Sequence, residues 1–138
     1  MSLKNRLHLN VSYDGEIVHS CEGSQVERMM ERSSYFDSLV HRWTNKEDEE
    51  IIHHDIPPLP SISKYAFQIV LLVLRVGIFD SSMLEVPSKG SPIVHLDVQV
   101  LEVSFYLGSE SYILPKYCKA VDSKRRLHAA QFFANETN

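Results

Sequence analysis

The chain has 138 residues, the size of one ordinary domain. Its composition, 43% hydrophobic and 23% charged, supports a packed core and excludes a wholly disordered chain. The net charge of −4 argues against a general binder of the phosphate backbone, whose surface would be basic. The opening residues, Met1 to Arg6, lack the pattern of a signal peptide. The longest apolar run, Tyr65 to Leu74, is broken by Gln68 and is too short to span a bilayer. Cys21 and Cys118 supply neither a disulfide framework nor a CxxC pair, so the expected compartment is reducing, cytoplasmic or nuclear.

In chain order, Leu7, Leu9 and Val11 alternate with polar residues, the period of a half-buried strand. Asp14-Gly15 suits a tight turn, and Glu16 to Cys21 forms the returning strand of a β-hairpin. Gly23-Ser24 breaks the pattern, and Ser24 with Glu27 has capping-box spacing ahead of Val26, Met29 and Met30 on one helical face. Ser34 with Asp37 offers a second cap before Phe36, Leu39 and Val40, predicting two short helices rather than one. Lys46 to Glu50 is expected to be a solvated loop, Ile51 to Asp55 a short strand, and Ile56-Pro57-Pro58-Leu59-Pro60 a stop that no helix interior contains.

Ser61 to Gly77 is β-branched enough to suggest a strand, but its polar positions decide for a helix. Lys64, Gln68 and Arg75 fall within ~40° of each other at the helical repeat, which leaves a largely buried rod with one narrow wet stripe. Leu71 lies within that stripe and is therefore a candidate contact residue. Asp80 to Pro92 is read as a loop. Residues 93–107 are ambiguous: Val94 to Val100 alternate like a strand, whereas Gln99, Glu102 and Tyr106 share a helical face. Tyr112 to Val121 is expected to form a short helix with Pro115 in its first turn, followed by a polar, basic tail.

No catalytic constellation assembles along the chain. No serine sits in a G-x-S-x-G elbow, and there is no Gly-rich phosphate loop. His53-His54-Asp55 looks like a metal motif, but neighbours on a strand point to opposite faces and do not share one ion easily. Cys21 with His19 remains an open cysteine–histidine pair. Pro57 to Pro60 reads as a rigid connector before it reads as a polyproline ligand, and Lys124-Arg125-Arg126 as a solvated helix end before a phosphate patch.

Met29-Met30-Glu31-Arg32-Ser33-Ser34-Tyr35-Phe36 resembles the apolar pair and R-S-x-Y-F of the BTB/POZ family, which includes Skp1 and elongin C. Leu7 to Gly15 resembles that family's first strand and turn, Ile51 to Pro57 the strand entering its third helix, and Phe67 to Gly77 that helix. Val98 to Leu107 and Tyr112 to Cys118, with L-x-x-x-C from Leu114, resemble the closing helix pair. The loop from Asp80 to Pro92 is similar to that of elongin C. The sequence departs from the family at Gln25, where many members carry a histidine, and in a longer stretch between Gly15 and Gln25.

The resemblance implies a BTB/POZ-like α/β (α+β) fold, a small, mostly N-terminal sheet flanked by about five or six short helices, and turns the segment Asp97 to Leu107 towards helix. One domain would span residues 1–121, with 122–138 as a tail or short helix. It implies a non-enzymatic adaptor or scaffold, in a cullin-type ubiquitin ligase or as a BTB oligomerisation module. Its partner would be a cullin, a substrate receptor or a second BTB-like chain, in a homo- or hetero-oligomer, with no cofactor, metal, membrane or nucleic acid. Leu71, Arg75, Phe79, Tyr106, Leu7 and Leu9 are the interface candidates. The alternatives are a small α/β enzyme with a Cys/His-based site and a nuclear, nucleic-acid-associated module using the basic tail.

Overall fold

A computed structural model describes residues 7–43, 50–84 and 96–136. Strand β1 (Leu7–Tyr13) buries every second residue, as its alternation predicts. Asp14 (φ 51°) and Gly15 (φ 80°) turn the chain into β2 (Glu16–Glu22). The register slips between Val11 and Ser12, because Val11 pairs with His19 but Ser12 with Ile17. Val18 is the extra residue of a β-bulge, which is how Val18 and Cys21 both reach the core side. Strand β3 (Glu50–Ile56) lies parallel to β1 on its other edge, giving a three-stranded sheet of order β2-β1-β3. The expected loop at Lys46 to Glu50 lies outside the described residues except for Glu50, which opens β3.

Between hairpin and third strand come α1 (Ser24–Arg32) and α2 (Ser34–Trp43). Two helices form as expected, but both caps are shifted by one residue. The first helix starts at Ser24, so the carbonyl of Gly23 accepts the N–H groups of Val26 and Glu27, and no side chain caps the end. Gln25, not Ser24, reaches back, its Oε1 accepting the Glu22 N–H at 3.2 Å. At the second helix Ser33 is the cap: its Oγ accepts from the Phe36 N–H and its carbonyl from Asp37.

Helix α3 (Lys64–Val76) is the rod expected from 61–77 and ends where Gly77 takes the left-handed conformation. It packs against β2, α1 and α4 (Leu96–Tyr106) and covers the inner face of the sheet, Tyr13 meeting Phe67 with ring centroids 4.4 Å apart. Its wet stripe runs through Tyr65, Gln68, Leu72, Arg75 and Val76, rotated by roughly 40° from the stripe the charges alone suggest. Leu71 therefore falls inside, 0% exposed. The Ile56–Pro60 connector is fixed by Tyr13, whose hydroxyl donates to the Ile62 carbonyl at 2.6 Å and accepts the Leu59 N–H at 3.0 Å. A 3-10 turn, Ser81–Leu84, follows α3; the rest of the loop to Pro92 and residues 93–95 lie outside the described residues.

The ambiguous segment is helical from Leu96. Leu96, Val100, Val103 and Leu107 are buried at helical spacing, while Val98, which the strand reading would have buried, is 45% exposed. The last helix, α5 (Glu110–Glu136), begins two residues before expectation because the Ser109 carbonyl accepts from Tyr112 and Ile113. Pro115 consequently sits in the second turn, and the Ser111 carbonyl it leaves unpaired belongs to an exposed residue. The expected boundary at 121–122 marks no break, since α5 continues through it to Glu136. The fold is α+β: a small N-terminal sheet, with five α-helices among the described residues, none of them long and apolar enough to cross a membrane.

Candidate protein-interaction site

The two helix–helix junctions, Arg32–Ser34 and Leu107–Ser109, are locked together. The Ser34 and Tyr35 N–H groups donate to the carbonyls of Gly108 and Leu107, and Ser33 Oγ donates to Leu107 as well. The approach is so close that a Cβ on Gly108 would stand 1.9 Å from Ser34 Oγ. This lock places the first turn of α2 beside the last turn of α4.

Together with β3 they enclose a groove of about 640 Å³ lined by Ser34, Tyr35, Ser38 and Arg42 of α2, His54 of β3, and Phe105, Tyr106 and Gly108. Tyr35, Ser38 and Arg42 share one helix face by their spacing of three and four. His54 points to the helix side of the sheet, between the buried Ile52 and Ile56, and its Nε2 shares a hydrogen bond with Tyr35 Oη. Phe105 and Tyr106 follow the buried Val103 and Ser104 and face outward, 58% and 37% exposed. Stacked rings run from the core to this surface: Tyr13 on Phe67, Phe67 edge-on to Tyr106 at 6.3 Å, Tyr106 against Tyr35 at 5.4 Å, and Tyr35 edge-on to His54 at 5.5 Å.

Burial holds the Tyr35 phenol above its ordinary range, helped by the Tyr106 hydroxyl and opposed by Arg42. Burial also pushes the His54 imidazole below its ordinary range; Asp55 opposes and Arg42 reinforces this. Both groups are uncharged at neutral pH, so the groove offers hydroxyls, a neutral imidazole, aromatic walls and the Arg42 guanidinium.

The cysteine–histidine pair lies elsewhere, on the core side of β2. Cys21 Sγ is 3.3 Å from Met29 Sδ, and burial pushes its thiol up to about 11. Burial, then the nearby Arg75, pushes His19 down to about 4. A neutral thiol beside a neutral imidazole is not an activated nucleophile at pH 7. On the outer face of the sheet, Ser20 Oγ donates to Asn10 Oδ1, and Asn10 Nδ2 meets His53 Nδ1 at 3.4 Å, so His53 and His54 do point apart. No group of three or more His, Cys, Asp or Glu is placed to hold a metal among the described residues.

Of the six interface candidates, only Tyr106 lies in the groove. Leu7, Leu9 and Leu71 are core residues and present no surface to a partner, because the inner face of β1 and the covered side of α3 enclose them. Arg75 is half-buried beside His19 and Cys21, its Nε buried without a hydrogen-bond partner. Phe79 packs half-buried against Tyr117. Sequence reasoning missed Tyr35, Arg42, His54 and Phe105. A helix burying 96, 100, 103 and 107 necessarily turns 105 outward, so Phe105 was legible once residues 93–107 were taken as helix. Compared with known families, curated proteins and solved structures, the chain matches no family model, no curated protein and no solved structure.

Proposed function

We propose that the chain is a non-enzymatic adaptor or scaffold of BTB/Skp1-like character that docks a partner protein in the groove between α2, β3 and the end of α4. The observation that carries this reading is the pair of exposed aromatic side chains, Phe105 and Tyr106, standing over a preformed groove in which burial holds the Tyr35 phenol and the His54 imidazole uncharged. Aromatic anchors and an arginine are residue types enriched at binding interfaces. The uncharged Cys21 and His19 weigh against a Cys/His enzyme. The element order β-β-α-α-β-α-α-α, with β3 parallel to β1, accords with the family resemblance read from the sequence. On that resemblance the partner is a cullin, a substrate receptor or a second BTB-like chain, and the compartment is cytoplasmic or nuclear.

The test is affinity capture from source cells, run beside size-exclusion chromatography with light scattering. A partner or a second copy bound by the parent chain is expected to be lost from a Phe105→Ala/Tyr106→Ala variant of unchanged fold. A parent chain that stays monomeric and captures nothing specific refutes the reading. So does a complex indifferent to that double substitution.

A further inference from the structure

We infer that this groove is selective for an acidic segment of its partner, with Arg42 binding one carboxylate while Phe105 and Tyr106 cover an adjoining apolar side chain. The inference rests on the docking reading above and adds the chemistry of the occupant. The chain as a whole carries a net charge of −4, yet among the described residues the groove is lined by a single fixed charge, and that charge is positive. Arg42 makes no hydrogen bond or ion pair among the described residues, although its field is felt at both Tyr35 and His54. Among the described residues no carboxylate lines the groove to neutralise it. Ser38 places an exposed hydroxyl on the same wall, able to donate to an oxygen of an incoming carboxylate, while the Ser34 hydroxyl already donates to the Gly108 carbonyl at 3.5 Å.

The number of charges selects the class of ligand. A planar guanidinium matches one carboxylate, oxygen for N–H. A phosphate or a nucleic-acid backbone calls for several cations, and His54 is a poor second one because burial, opposed by Asp55 and reinforced by Arg42, disfavours its protonation. The groove volume, about 640 Å³, holds more than one side chain, so the carboxylate and its apolar neighbour enter together.

The experiment titrates two blocked synthetic peptides into the folded chain, identical except for a glutamate or a glutamine set between leucine and phenylalanine. Binding is followed by NMR shifts of Ser38, Arg42, Phe105 and Tyr106. The glutamate peptide is expected to bind about fivefold more tightly, the size of an exposed ion pair, and the preference should shrink in high salt. Arg42→Gln should make the two peptides equal without changing the thermal midpoint. Equal binding of both peptides to the parent chain, at the groove, overturns the acidic selectivity and leaves docking standing. Binding of neither peptide overturns the docking reading with it. A preference that emerges only after Glu47→Gln, Asp48→Asn and Glu49→Gln would also overturn the inference, because the occupant would then be the chain's own acidic run.

Discussion

Lowering the pH tests the interior side of β2 directly. His19 faces the core opposite Val11, its Nε2 buried without a hydrogen-bond partner and Arg75 close by. Protonating the ring would leave a cation poorly solvated by burial and, second, beside the Arg75 guanidinium, so its pKa falls from 6.5 to about 4. The unfolded chain therefore binds this proton near pH 6.5 while the folded chain resists it until about pH 4. Stability from this group is complete above pH 6.5 and drains away as pH falls towards 4. At about 1.4 kcal/mol per pKa unit the full effect would be about 3.5 kcal/mol, of which about 2.5 falls between pH 7 and pH 4.5, and solvent reaching the partly exposed ring reduces that to roughly 2 kcal/mol. Urea unfolding followed by circular dichroism at pH 7 and pH 4.5 measures it, with carboxylate titration cancelling between parent and His19→Gln. The variant should lose roughly 2 kcal/mol less over that interval than the parent. Parallel losses in the two proteins would refute the argument. Arg75→Gln, by removing the second cause of the shift, should fall between them.

Leu71→Ala should cost about 2–5 kcal/mol of stability as a cavity in the core, measured by denaturant midpoint, while Tyr106→Ala should cost far less and act on partner binding. Gly108→Ala combines a positive φ of 58° with the overlap on Ser34 Oγ. It should destabilise by about 2 kcal/mol or more, with Ser34→Gly restoring part of the loss in a double-mutant cycle. In thiol titration with a disulfide reagent at pH 8, the exposed Cys118 should react at once and the buried Cys21 only on unfolding. A fast Cys21 would overturn the claim that its thiol is protonated.

Local chemistry made most of the fold legible. The alternation of Leu7, Leu9 and Val11, the Asp14-Gly15 turn and the paired short helices follow from side-chain period and turn residues alone. The failures have physical causes of their own. Ser24 and Ser34 have the composition of caps, but the adjoining Gly23 and Ser33 hold the non-helical geometry, and composition does not reveal which of two neighbours will do so. Residues 94–100 alternate because the sequence places valines at odd helical positions, and Val98 simply remains outside. Leu71 was misplaced because three charged or polar side chains on α3 were weighed as fully wet, whereas Lys64 reaches Glu16 of β2 and Arg75 lies half-buried beside His19 and Cys21, which leaves the exposed stripe centred nearer Leu72. The groove was hardest to foresee. It is assembled from α2, β3 and α4, and only the lock between Ser33–Ser34 and Leu107–Gly108, 74 residues apart, brings them together.

The sheet's middle strand precedes both of its neighbours in the chain, and this ordering weighs on biosynthesis. The ribosome delivers β1 first, with β2 close behind to occupy one edge. The opposite edge stays an open row of N–H and C=O groups until Glu50 to Ile56 emerge, after about 1–6 seconds of translation at common rates. Leu7, Leu9, Val11 and Tyr13 wait longer still for Phe67 and its helix. A nascent chain paused within α1 or α2 is thus the form most exposed to pairing with a foreign strand, and slow codons there would be costlier than anywhere later in the message.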